Sequence, residues 1–133
     1  MGLIVVDAGV LIAILDASDT HHVAAREAVR AALDRGDSLV LPASAYAEVL
    51  VAPLRRDGES GAVVDWLIDA LPATVQPITR PIAGAAAELR AEHGTRMRLP
   101  DALVVATALD LGAACLITTD RRWPELGIVL QAI

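Results

Sequence analysis

The chain contains no lysine: all eleven basic residues are arginine. That excludes a P-loop, whose phosphate grip needs a lysine, and receiver-like domains of the flavodoxin type, which also use one. Phenylalanine is missing too, and two Trp and one Tyr are the only aromatics. The 55% hydrophobic fraction is therefore mostly Ala, Val and Leu, a core of small aliphatic side chains that suits helices lying close against a sheet. The single Cys115 has no second cysteine to pair with, which reads as a buried thiol in a cytoplasmic protein. No apolar run approaches the roughly 20 residues of a bilayer span, so no membrane is expected. The N-terminus has no basic stretch, and Asp7 interrupts its only apolar run, so no signal peptide is readable. The net charge of −6 excludes a broad basic coat for nucleic acid. It leaves room for a nucleic-acid enzyme whose carboxylates gather metal ions.

What is present alternates. At 133 residues the chain makes one domain, 1–133. "LIVVD" (3–7), "SLVLP" (38–42) and "ACLIT" (114–118) read as buried strands, "ATVQPI" (73–78) as a weaker edge strand because of Pro77, and "GIVLQAI" as the last. Between them lie helical segments: "AGVLIAILDA"; "SDTHHVAAREAVRAALDRG", stopped by Gly36; "SAYAEVLVAPLRRDG" from about Ser44, kinked or restarted at Pro53; and "ESGAVVDWLIDAL". Two more follow, "RPIAGAAAELRAEHG" and "PDALVVATALDLG", the latter with Pro100 at its first position. The fold class is α/β, a central parallel sheet of about five strands with helices on both faces. Such sheets bind ligands beyond the carboxyl ends of their strands.

Four acids fall near that edge. Asp7 ends the first strand, Asp120 follows the fourth, Glu48 lies early in the helix after the second strand, and Asp101 opens the helix leading into the fourth. Each has an ordinary alternative. Asp101 behind Pro100 suits a helix dipole, worth about 0.3–1 kcal/mol, Asp7 and Asp120 suit caps or turns, and Glu48 suits a solvated helix face. Local context argues against several of these. With Ser44 as the cap, the capping-box partner would be Ala47, so Glu48 falls one position late. No basic residue lies three or four positions from it. Asp7 sits among Val5, Val6, Ala8 and Gly9, where an isolated charge is costly. Together the four would repel one another unless a cation lay between them. Oxygen donors without His or Cys favour Mg²⁺ or Mn²⁺.

"VVDAGVLIAILD", "PASAYAEVL", "LPDALVVATAL" and "LITTDRRW", in that order and spacing, resemble the acidic motifs of PIN-domain ribonucleases, in particular the compact VapC toxins of bacterial VapBC (type II) toxin–antitoxin pairs. The resemblance spans essentially the whole chain. It implies a metal-dependent endoribonuclease acting on RNA, with Asp7, Glu48, Asp101 and Asp120 as catalytic metal ligands for one or two Mg²⁺ or Mn²⁺ ions. Thr118 becomes a supporting hydroxyl behind them, and a VapB-type antitoxin and a homodimer are the implied partners. Gly9 departs from the pattern, which often carries Ser or Asn there. The alternative is a catalytically silent PIN-like module that binds or scaffolds. A haloacid-dehalogenase-like phosphate enzyme would need an acid at position 9, where Gly stands.

Three arginine pairs flank the acids: Arg55/Arg56, Arg96/Arg98 and Arg121/Arg122. They read either as phosphate-steering groups or as solvated charges, and Arg121 and Arg122, next to Asp120, are the best placed for substrate. His21 and His22, adjacent in a first helical turn, face different directions and read as surface or capping residues. Trp66 reads as core or interface, Trp123 as cover for the end of the sheet, and Tyr46 as packing.

Overall fold

A computed structural model describes residues 1–133. Strand β1 (Leu3–Val6) leads into helices α1 (Ala8–Leu15) and α2 (His22–Asp34), followed by β2 (Ser38–Pro42), α3 (Ala43–Arg56) and α4 (Gly61–Ala70). Then come β3 (Thr74–Gln76), α5 (Arg80–His93), a 3-10 turn at Gly94–Arg96, α6 (Leu99–Asp110), β4 (Cys115–Thr118) and β5 (Leu130–Ala132). The five strands form one sheet in the order β3-β2-β1-β4-β5, and every pairing is parallel. β3 is an edge strand, as Pro77 implies.

The apolar runs of the central strands have a direct structural reason. Neighbouring side chains on a strand face opposite ways, yet Ile4, Val5 and Val6 are all nearly inaccessible, as are Leu39, Leu41, Leu116 and Ile117. Both faces of the sheet are therefore covered, which its parallel crossovers achieve with helices. α6 packs against β1, β2 and β4 and pairs closely with α5, while α1 packs on α2 and α3. Small residues such as Ala102, Ala106 and Ala108 on α6, all fully buried, permit that approach. No helix is long and apolar enough to cross a membrane.

Helix boundaries bring three corrections. α3 starts at Ala43 behind Pro42, so Ser44 is not its cap. It also runs through Pro53 to Arg56, with the Asp57 amide closing on the Pro53 carbonyl. Proline's φ already suits a helix and only one amide bond is lost, so its place in the closing turns neither ends nor restarts the element. α6 begins one residue earlier than the Pro100 signal, at Leu99.

The strand order places the site. From β1 the chain moves to β2 and β3 on one side and returns to β4 and β5 on the other. The ends of β1 and β4 therefore border the reversal where α/β sheets open a crevice. A helix that feeds a parallel strand runs antiparallel to it, so α6 must start at this same carboxyl edge. That carries Asp101 to the edge together with Asp7 and Asp120.

Candidate active site

Asp7 is the first residue past β1. Its amide continues the ladder, donating to the Ile117 carbonyl at 3.0 Å, and its side chain caps α1. One carboxylate oxygen accepts from the Ala8 amide at 2.8 Å, and the other accepts from the Thr118 hydroxyl at 2.9 Å. The residue is only 9% exposed. That burial raises its pKa; the bonds from Thr118 and Ala8 oppose the rise, and the charges of Asp101 and Asp120 add to it.

Thr118, the last residue of β4 and wholly buried, is a relay between two acids. Besides donating to Asp7, its oxygen accepts from the Asp120 amide at 3.0 Å. Asp120 turns back on its own loop: its carboxylate accepts from the Arg122 amide at 2.8 Å and pairs with the Arg122 guanidinium at 3.3 Å. Burial alone would push the Asp120 pKa up, but the Arg122 amide and guanidinium, with Arg98 beyond, bring it below the usual range. Asp101, in the first turn of α6, accepts from Arg98 Nε at 3.1 Å.

Glu48 projects from α3 without a hydrogen-bond partner and is exposed as a residue. Its pKa is nonetheless raised, first by partial desolvation, then by Asp7 and Asp101, with Arg98 opposing. Asp7 is thus within electrostatic reach of Asp101 and Asp120, and Glu48 of Asp7 and Asp101.

Does this set suit a divalent cation? The donors are hard oxygens, and the two acids left without arginine partners, Asp7 and Glu48, both have raised pKa values to which their neighbours' charge contributes. A cation relieves that repulsion, so the chemistry fits. The placement adds a qualification: no three of the acids gather closely enough to ligate one ion, and two of them, Asp101 and Asp120, are taken up by arginines.

Beside the acids lies an open polar cavity of about 370 Å³ lined by Arg96, Arg98, Asp101, Asp120, Arg122 and Trp123, with Thr95 at its edge. Of the pair judged best placed from sequence, Arg122 lines it, while Arg121 is exposed and in no ion pair with the acids. Arg98 is the group that sequence reasoning underrated. Its signal was spacing, since Arg98 and Asp101 are three apart across a helix start. Trp123 lines this cavity and packs against the hydrophobic core, and its indole N–H is buried with no acceptor. His22 Nδ1 contacts the Ala13 carbonyl at 2.7 Å, tying α2 to α1 away from the acids. Tyr46 donates to Asp65 at 2.7 Å, and Trp66 is 68% exposed, so it is not core.

The departure at Gly9 has a structural counterpart. A Cβ at this position would fall inside the contact radius of the Thr119 hydroxyl oxygen. Positions 9 and 119 therefore share one side-chain volume beside Asp7, and here Thr119 fills it. Gly9→Ala is expected to lower the melting temperature by about 5 °C, and the added change Thr119→Gly should restore part of the loss. Equal melting temperatures for wild type and Gly9→Ala would show that Thr119 moves aside freely.

The PIN domain family profile matches residues 4–129 of the chain. Among curated proteins none matches the sequence. Among solved structures, VapBC2 from Rickettsia felis bound to a promoter DNA fragment is similar over 98% of both chains, at 11% identity and a TM-score of 0.77. VapBC-1 from nontypeable Haemophilus influenzae matches over 98% of this chain and 97% of its own, at 17% identity and a TM-score of 0.72. VapC20 from Mycobacterium tuberculosis, a toxin that cleaves the sarcin–ricin loop, matches over 85% and 86%, at 20% identity and a TM-score of 0.68.

Proposed function

The chain belongs to the PIN-domain family, and from that premise we propose that it is a metal-dependent endoribonuclease, the toxin of a toxin–antitoxin pair. One observation carries the reading: Asp7, buried at the end of β1 and bonded to Thr118 of β4, stands at the switch point of the sheet within electrostatic reach of Asp101 and Asp120, and Glu48 lies within reach of Asp7 and Asp101. Asp7, Glu48 and Asp101 would hold one or two Mg²⁺ or Mn²⁺ ions by drawing closer together than they stand here, with Asp120 binding directly or through water. When bound, such an ion lowers the pKa of a water and offsets phosphate charge. The protein's own groups do the rest. Asp7 is fixed at both carboxylate oxygens, so it offers a rigid anchor. Thr118 holds Asp7 and the Asp120 backbone in register. Arg96, Arg98 and Arg122 line the cavity where a phosphodiester would lie, and guanidinium forks suit phosphate.

The neighbouring structures support the partners. Several are toxin–antitoxin complexes, which favours an antitoxin, and one neighbour cleaves an RNA loop, which favours RNA as substrate. A homodimer is consistent with Val63 and Trp66, three apart on α4 and 52% and 68% exposed; sedimentation at micromolar protein is its check. A cytoplasmic location agrees with the free Cys115.

The silent-module reading has one observation on its side, the arginine partners of Asp101 and Asp120. Incubating purified protein with labelled structured RNAs and Mg²⁺ or Mn²⁺ separates the two. Cuts that vanish with EDTA and in Asp101→Asn are the expected result. Folded protein that neither cuts RNA nor binds Mn²⁺ would leave the binding module standing.

A further inference from the structure

We propose that Arg98 and Arg122 are exchangeable counter-ions of the acid cluster: they hold Asp101 and Asp120 until an RNA phosphate draws the guanidiniums away, so that RNA and the divalent cation bind cooperatively. The inference rests on the nuclease reading above and adds to it what the two arginines do.

The geometry of the pairs is the starting point. Arg98 reaches Asp101 through Nε alone, at 3.1 Å. Arg122 reaches Asp120 through Nε at 3.4 Å and a terminal nitrogen at 3.3 Å, both long for charge-assisted bonds. The two side chains are 71% and 88% exposed, so most of their donors remain free. Exposed pairs of this kind shift an equilibrium by no more than about fivefold, which makes them cheap to exchange. Both pairs line the same cavity, so a phosphate entering it meets two guanidiniums whose present partners are carboxylates that a cation needs.

Helix stability does not explain Arg98. It occupies the residue before α6 with extended backbone and no side-chain cap, and a positive charge at a helix N-terminus has the unfavourable sign. Asp101, one turn in, has the favourable sign without help. Arg98 instead answers the cluster: its Nε donates to Asp101 at 3.1 Å, and it lines the cavity that Asp101 shares with Asp120.

Charge balance then links the two ligands. Four carboxylates facing three guanidiniums, Arg96, Arg98 and Arg122, still leave a net negative site, enough to attract a cation but with two acids occupied. A phosphodiester takes over the guanidiniums, frees Asp101 and Asp120, and brings negative charge beside the ion. Any ligand that releases the arginines must tighten the other by the same factor.

The test measures binding. Mn²⁺ is titrated calorimetrically into wild type, Arg98→Gln, Arg122→Gln and the double variant, each shown by thermal melting to be folded. Binding of a labelled single-stranded RNA is followed by anisotropy in EDTA. Each single variant is expected to bind Mn²⁺ about fivefold more tightly, the double variant more tightly still, and Arg98→Lys close to wild type. RNA binding is expected to weaken about tenfold in the double variant, with a salt slope shallower by about one per arginine lost. Unchanged or weaker Mn²⁺ binding in the folded double variant, or unchanged RNA binding, would overturn the exchange. Asp7→Asn separates the two failures. If it removes Mn²⁺ binding while the arginine variants match wild type, only the exchange is wrong. If it leaves Mn²⁺ binding intact, or no variant binds Mn²⁺ at all, the nuclease reading falls and the exchange with it.

Discussion

Asp7→Asn is expected to reduce RNA cleavage by about a thousandfold or more, the size of effect that losing a metal-held transition-state contact produces, while leaving a more stable protein. Asparagine keeps the shape, and its oxygen can still accept from the Ala8 amide. Thr118 already accepts from the Asp120 amide, and a hydroxyl has a second acceptor site for the new side-chain N–H. What disappears is a carboxylate whose burial opposes its ionisation. In EDTA at neutral pH the melting temperature should rise by about 2–6 °C. The sign follows from linkage. A carboxyl with a raised folded pKa binds its proton more tightly folded than unfolded, so ionisation penalises the fold once the pH exceeds the unfolded value. The advantage of Asp7→Asn is therefore present at neutral pH and fades as the pH falls through the folded pKa toward the unfolded one. Cleavage rates and a melting series from neutral to acid pH check both halves. A variant that cleaves like wild type would remove Asp7 from the chemistry.

Thr118→Val tests the relay. Valine matches threonine in shape, but without the hydroxyl Asp7 loses a donor and the Asp120 amide loses its acceptor, in a position with no access to water. Leaving such groups unsatisfied costs about 1–3 kcal/mol, seen as a melting temperature lower by about 5–10 °C. Cleavage should fall by about 10–100-fold, typical of groups that orient ligands without being ligands. The Thr118 bond lowers the Asp7 pKa, so its removal should move the acid limb of the pH–rate profile to higher pH. A loss of packing alone would not do that. Thr118→Ser, which keeps the hydroxyl, should restore the profile and most of the rate.

The strands and acids were legible because each carries its own local signal. Val5, Val40 and Leu116 lie in apolar runs that only a doubly covered sheet accommodates. Pro77 marked β3 as an edge, and a carboxylate between Val6 and Ala8 has no comfortable local explanation. Other features depend on what lies across the fold. Nothing local in "ACLIT" tells β4 to pair with β1 rather than β3, so the strand order was not readable. Pro53 looked like a breaker because the sequence does not show that only one closing turn follows it. Ser44 resembled a cap, but Pro42 ended β2 directly at the helix. Arg98 was underrated beside Arg121 and Arg122 because adjacency to Asp120 is visible in sequence, whereas the cavity it shares with Asp120 exists only once α6 starts at the carboxyl edge.

The sheet contains no hairpin: each strand waits for a parallel partner, and β1 pairs with β2 and with β4. The Thr118–Asp7 bond joins residues 111 apart. During synthesis Asp7 emerges 111 residues ahead of its partner, so the nascent chain carries the first acid long before it can assemble the cluster. Parallel pairings at this separation form late and slowly. The fold therefore imposes a delay on its own chemistry: fragments and early intermediates hold no assembled acid cluster, and the site matures only when β4 docks beside β1.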